Sequence, residues 1–159
     1  MKNLSFVFFI FLIGFNCPIE IHAAAPNSAA ATVPALTGND HIDKIKQAVL
    51  LHLEGSAHRD IAAMNKVLHE QFRIIVNDPN KGPMVLDKAT MLGMYEQGKF
   101  GGEVKPITIE SIDIQGDLTA TVKVKESGAK AIFNLYLSLV QQGGEWKIIS
   151  ELAYLEYLN

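Results

Sequence analysis

Three of the chain's five histidines fall in the stretch LHLEGSAHRDIAAMNKVLHEQF, Leu51 to Phe72, and each stands near an acidic residue. Imidazole and carboxylate together can bind a metal or relay a proton, so their spacing decides what the stretch can do. His52 and Glu54 are two positions apart and on a helix point about 200° away from each other. His58 and His69, if their segment is helical, stand roughly 16 Å apart. Neither spacing is the i, i+4 pair that holds zinc on one helix face. The expectation is no metal and no cofactor.

The histidines then separate by environment. His58 beside Arg59 reads as a solvated connector, and His69 as the last turn of a second helix, where the carbonyl end favours a charged ring. His52 lies at the edge of an apolar stripe, so it either lines a pocket or is a satisfied core histidine. Proton-abstraction chemistry would need a buried carboxylate and buried donors. Glu110, Asp113 and Glu151 are the strand acids, and the alternation around them reads all three as solvated, so no catalytic set is visible. Tyr95, with Met91 and Met94, either closes a pocket mouth or completes the core. Trp146 reads first as packing at the base of the core. Asn134, Tyr136 and Ser138 form a polar ladder open to a pocket or a dimer contact. The residues expected to meet a ligand are therefore His52, Met91, Tyr95, Asn134, Tyr136 and Trp146.

These residues sit on elements that the hydrophobic pattern outlines. Ile42, Ile45, Val49 and Leu53 recur at three- and four-residue spacing and predict an amphipathic helix over 40–56, with Gly55 near its end. A shorter helix follows, capped by Asp60, with Ile61, Met64, Val67 and Leu68 on its buried side. FRIIV, 72–76, predicts a short strand broken by the turn-rich NDPNKGP. Asp87 caps a third helix, 88–97, with Gly98 at its end. The remainder alternates as strands from VKPITIESIDI onward, joined by QGD, SGA and GGE turns into an antiparallel meander, with Leu118, Ala120, Val122 and Val124 on one face. The strand KAIFNLYLSLVQQ is apolar on one face and partly apolar on the other. That second face needs a cover, and a partner subunit is the simplest one.

Residues 1–25, MKNLSFVFFIFLIGFNCPIEIHAAA, open with Lys2, run through an apolar core and close on small alanines, the layout of a secretory signal peptide. The apolar run is about a dozen residues where a spanning helix needs roughly 20, so no stable membrane insertion is expected after cleavage. An exported protein, periplasmic or extracellular, follows. The single cysteine, Cys17, leaves with the leader, and with it any disulfide or thiol chemistry. Residues 26–39, rich in Ala, Pro, Ser and Thr, read as a flexible linker. The folded domain then spans 40–159. Its net charge stays at −3 with no basic run, which argues against nucleic acid as a partner.

The order helix, helix, short strand, helix, long strands resembles the nuclear transport factor 2-like superfamily, and within it the SnoaL-like, putative lumazine-binding group. The stretches HLEGSAHRDIAAMNKVLHEQF, LDKATMLGMYEQ, ITIESIDIQGDLTATVKV and FNLYLSLVQQGGEWKIISE carry the resemblance. It implies a cone-shaped α+β fold in which a curved, mainly antiparallel sheet wraps three N-terminal helices. It also implies a pocket at the open end and dimers through the outer sheet face. His52 replaces the ring usual on the first helix, and Arg59 the glycine before Asp60. The superfamily includes isomerases, cyclases and hydrolases as well as members without a known reaction, so the fold licenses no activity by itself. The leading expectation is an exported protein that binds a small apolar molecule. An enzyme of isomerase, cyclase or hydrolase type in the same pocket, or a dimeric protein-interaction module, are the alternatives.

Overall fold

The computed structural model of the protein describes residues 38–159. The expected leader, 1–25, and nearly all of the expected linker, 26–39, lie outside the described residues. The first helix, α1 (Gly38–His58), buries Ile45, Ala48, Val49, His52, Leu53 and Ser56 along one stripe, and Asp40 lies in its first turn, where the helix dipole favours an anion. The second, α2 (Ile61–Val67), packs against α1 at Gly55. A Cβ there would come within 2.8 Å of Met64 Cγ and 3.3 Å of the Asp60 carbonyl oxygen, so only glycine allows this approach. Asp60 caps α2 by accepting from Ala63 N–H at 3.0 Å.

The chain leaves α2 directly into a strand, β1 (Leu68–Asp78). His69 therefore stands in β1 and not in a last helical turn, and the dipole argument for it falls. Leu68 is buried in the strand as well, because α2 is only seven residues long. The expected strand at 72–76 is extended at both ends. Within NDPNKGP the turn is confined to Pro79, Asn80 and Lys81, and a second strand, β2 (Gly82–Asp87), pairs back on β1 from Asp78↔Gly82 to Arg73↔Asp87. Pro83, expected in the turn, lies in β2, which is the sheet edge, where a missing N–H is tolerated. Asp87 then caps α3 (Lys88–Glu96), accepting from Thr90 N–H at 2.8 Å. Buried Lys88 ties that helix to β1 through the Leu68 carbonyl at 3.1 Å and Glu70 at 2.9 Å.

The meander follows: β3 (Ile107–Gln115), β4 (Thr119–Ser127), β5 (Ala131–Gln142) and β6 (Glu145–Tyr157). Leu118 is exposed in the turn ahead of β4 instead of facing inward with its neighbours. The six strands form one sheet in the order β2-β1-β6-β5-β4-β3, antiparallel throughout except for the parallel β1–β6 pair. This is an α+β fold: three helices lie against a curved, unclosed mixed sheet, with α1 on β6 and α3 on β1. Inward rows such as Val122–Leu137 and Val124–Leu135 meet Val49, Leu53, Met64 and Phe72 in the core. Among the described residues no helix is long and apolar enough to cross a membrane.

Candidate functional site

A cavity of about 670 Å³ opens between α1, α3 and the inner face of the sheet. Its apolar walls include Leu53, Ile74, Leu135, Phe133 and Ala153, and its polar groups include His52, Ser56, Tyr95, Lys105, Glu126 and Glu151. Such a mixture, mostly apolar with a few converging polar atoms, is the usual make-up of a small-molecule site.

The innermost polar pair is His52 and Glu151. The Nε2 of His52 lies 2.8 Å from Glu151 Oε2, and both side chains are almost wholly buried, 2% and 8% exposed. Glu151 occupies the middle of the sheet's inner face, paired with Leu137 on β5 and Ile74 on β1. A β-bulge puts it there. The register passes from Leu139↔Ile148 to Ser138↔Ser150, so Ile149 is unpaired and the inward parity changes from even to odd numbers. Trp146 and Ile148 face in before the bulge, and Glu151 and Ala153 after it. The expectation of a solvated Glu151 is thereby overturned, whereas Glu110 and Asp113 are exposed as expected.

A carboxylate only accepts, so the imidazole donates to it from Nε2. Its Nδ1 is buried and has no hydrogen-bond partner among the described residues. The ring also packs edge-on to Phe72, with centroids 6.1 Å apart. The outcome is an imidazole oriented by a buried acid, with its second ring nitrogen unpaired.

Two further groups complete the polar lining. Glu126 continues the inward alternation of Ala120, Val122 and Val124, and its carboxylate lies 3.5 Å from Lys105 Nζ with both side chains buried. Burial pushes the Glu126 carboxyl up; the Lys105 ammonium opposes this and the charge on Glu151 reinforces it. Lys105 also lies over the Phe133 ring, 5.1 Å from its centroid. On α1, one turn beyond His52, Ser56 Oγ donates to Tyr95 Oη at 2.9 Å. Burial first, and then the Glu151 charge, hold the Tyr95 hydroxyl well above the usual tyrosine range, so it stays protonated.

The segment after α3 closes one side of the cavity. Arg59 Nε donates to the Phe100 carbonyl at 2.9 Å, and its Nη2 to those of Gly101 at 2.9 Å and Gly98 at 3.3 Å. Phe100 stacks edge-on to Tyr95 at 5.6 Å. Gly101, at φ +63°, leaves no room for a side chain: a Cβ would fall 2.1 Å from the Ser56 carbonyl oxygen.

Of the six residues expected to meet a ligand, His52 and Tyr95 line the cavity. Met91 is fully buried in the core. Trp146 is buried too, and its Nε1–H donates to His41 Nδ1 at 3.2 Å. Tyr136, half exposed, and Asn134 lie on the outer sheet face. The sequence reading missed Ser56, Lys105, Glu126 and Glu151. Two of these carried a signal: Ser56 is four residues after His52 on the same stripe, and Glu126 is the next inward position after Val124.

The family model described as putative lumazine-binding matches residues 40–153. Solved structures with a similar fold include an NTF2-like protein of unknown function from Silicibacter pomeroyi, 17% identical with a TM-score of 0.68, covering 76% of this chain and 100% of that one. An NTF2-like protein from Cytophaga hutchinsonii is 19% identical with a TM-score of 0.63, over 75% of this chain and 98% of that one. A ketosteroid isomerase-like protein from Erwinia carotovora atroseptica is 16% identical with a TM-score of 0.61, over 74% and 97%. No curated protein matches the chain.

Proposed function

Because the chain belongs to the family described as putative lumazine-binding and has the NTF2-like fold, we propose that it binds a small, largely apolar molecule in the cavity, anchored at His52. The observation that carries this reading is the cavity itself, walled mainly by apolar side chains, with the buried His52–Glu151 pair among its few polar groups. At about 670 Å³ the space suits a molecule of drug-like size. The experiment is native mass spectrometry of the protein purified from its own cells. A retained small molecule, lost in His52→Ala, is the expected result; an empty protein, with no ligand recovered at any purification step, would count against the reading.

A second reading draws on the same pair: an imidazole held by a buried acid is the arrangement of a general base, so an isomerase-, cyclase- or hydrolase-type enzyme would use this cavity as well. Turnover of the retained molecule by wild type and not by His52→Ala separates the enzyme from the binder.

The protein is further proposed to be exported, on the strength of the leader-like residues 1–25, and to pair through the outer sheet face. Ile75, Leu152 and Tyr136 form a cross-strand row there, each at least a third exposed, and Tyr154 adds to it opposite Asn134. An apolar row of this kind on a sheet centre supports a dimer contact.

A further inference from the structure

Building on the reading that the cavity holds a small molecule, we infer that this molecule is an organic carboxylate, whose charged end pairs with the Lys105 ammonium and whose apolar body lies along Phe133, Leu135 and Ala153. The Lys105 side chain is 8% exposed, and its ion-pair partner, Glu126, stands 3.5 Å away. A well-formed ammonium–carboxylate contact is about 2.7–2.9 Å, and an ammonium has three donors to place. The other neighbour of the ammonium is the Phe133 ring, 5.1 Å away at its centroid, which attracts the charge without replacing an oxygen acceptor. Lys105, Glu126 and Phe133 all line the cavity, so this under-filled ammonium stands among the walls a ligand would touch. A buried charge with donors unspent is destabilising, and an incoming ionised acceptor relieves it.

The chain holds Lys105 in place from both sides. Two residues before it, Glu103 Oε1 accepts from Ala129 N–H at 2.8 Å. One residue after it, the Pro106 carbonyl accepts from Ser127 N–H at 3.1 Å. The lysine stem runs past Gly128, where a Cβ would come within 3.2 Å of Lys105 Cδ. The turn between β4 and β5 thus fixes where the ammonium stands, and a donor positioned in advance loses little freedom when a ligand arrives.

The rest of the lining selects an anion over a cation. Its other acids already accept from partners: Glu151 from His52 at 2.8 Å, Asp78 from the Tyr157 hydroxyl at 3.0 Å and Asn80 N–H at 2.8 Å, and Glu103 from Ala129 N–H. Lys81 and Lys99 add positive charge to the same walls. Glu126 is the remaining acid, and burial favours its neutral form, whose O–H can donate to a ligand carboxylate instead of repelling it. An ammonium ligand would lie against the Lys105 cation, and an uncharged one would leave the lysine donors without an ionised acceptor beyond Glu126.

The test compares three probes of nearly equal shape on the full chain at neutral pH: 2-naphthoate, 2-naphthamide and 2-naphthylmethylammonium. Naphthoate should bind roughly tenfold or more tightly than either of the others, because only it brings an ionised acceptor to Lys105. It should also move the NMR signals of the Lys105 side chain and the Phe133 ring. Lys105→Met keeps an apolar stem without the charge, and should bring naphthoate down to the affinity of naphthamide while leaving naphthamide unchanged. If the Glu126 carboxyl left alone in that variant hinders folding, Lys105→Met with Glu126→Gln removes both charges and gives the same comparison. Glu126→Gln by itself keeps the ammonium and removes the competing carboxylate, so naphthoate should bind more tightly and naphthamide as before. Equal affinity for naphthoate and naphthamide, or a preference for the ammonium probe, would overturn the carboxylate assignment and leave the binding cavity standing. Failure of all three probes to move any resonance of the cavity walls would overturn both this inference and the small-molecule reading beneath it.

Discussion

Removing the Glu151 carboxylate should destabilise the protein out of proportion to the atoms lost. In Glu151→Ala the Nε2–H of His52, 2.8 Å from its acceptor, is left buried and unpaired. An unsatisfied buried group costs about 1–3 kcal/mol. Truncating a side chain that is 8% exposed, between Leu137 and Ile74, adds packing loss on the order of 1 kcal/mol. The total is about 2–4 kcal/mol. Glu151→Gln retains an acceptor oxygen and should cost about 1 kcal/mol. The double change His52→Leu with Glu151→Leu replaces both polar partners by apolar ones and should return to within about 1 kcal/mol of wild type, a coupling that neither single change reveals. Urea unfolding followed by fluorescence measures all three. Trp146 is the sole tryptophan and is buried in the core, so its emission reports global unfolding, and an unchanged slope with denaturant confirms that stability alone has moved. A cost below about 0.5 kcal/mol for Glu151→Ala would mean that the side chain faces water, and the bulge at Ile149 would then not turn it inward.

Glu126 supplies a pH dependence. Its carboxyl is pushed above the ordinary 4.5 by burial, so its contribution to stability is full below that value and is lost as pH rises through the higher folded value. Glu126→Gln carries no such dependence, and its stability relative to wild type should rise across that window; urea titrations at stepped pH that show the reverse would refute the assignment. Arg59→Ala frees the carbonyls of Gly98, Phe100 and Gly101, and should speed hydrogen exchange in that segment while lowering global stability by about 1–2 kcal/mol. Arg59→Lys should not restore protection, since one ammonium cannot reproduce the planar fork. Tyr136→Asp places a charge in the centre of the outer row and should yield monomers, and a sedimentation profile identical to wild type would sink the dimer proposal.

Local chemistry explains why so much of the scaffold was legible. The α1 stripe from Ile45 to Leu53, the Asp60 and Asp87 caps and the three meander turns each depend on residues close together in sequence, and each appears in the fold with only its ends displaced. Where propensity misled, a tertiary partner decided: β2 exists because β1 offers it a ladder, despite Pro83, and His69 is extended because β1 begins as soon as α2 ends. The site was less legible. His52 and Tyr95 announced themselves by polar character next to an apolar stripe, and Glu126 by parity with Val124.

What the sequence determined by itself was the set of short-range choices: periodicity, caps, turns and thus the order of elements, because these are settled within a few residues along the chain. The placement of Glu151 was not among them. Parity along a strand is readable only while pairing is regular, and the single unpaired residue at Ile149 is defined by the neighbouring strand, not by its own sequence. That bulge turns a carboxylate that reads as solvated into the partner of His52, 99 positions away. The pair exists only once α1 packs on β6, because a buried hydrogen bond over that separation depends on the whole core closing around it.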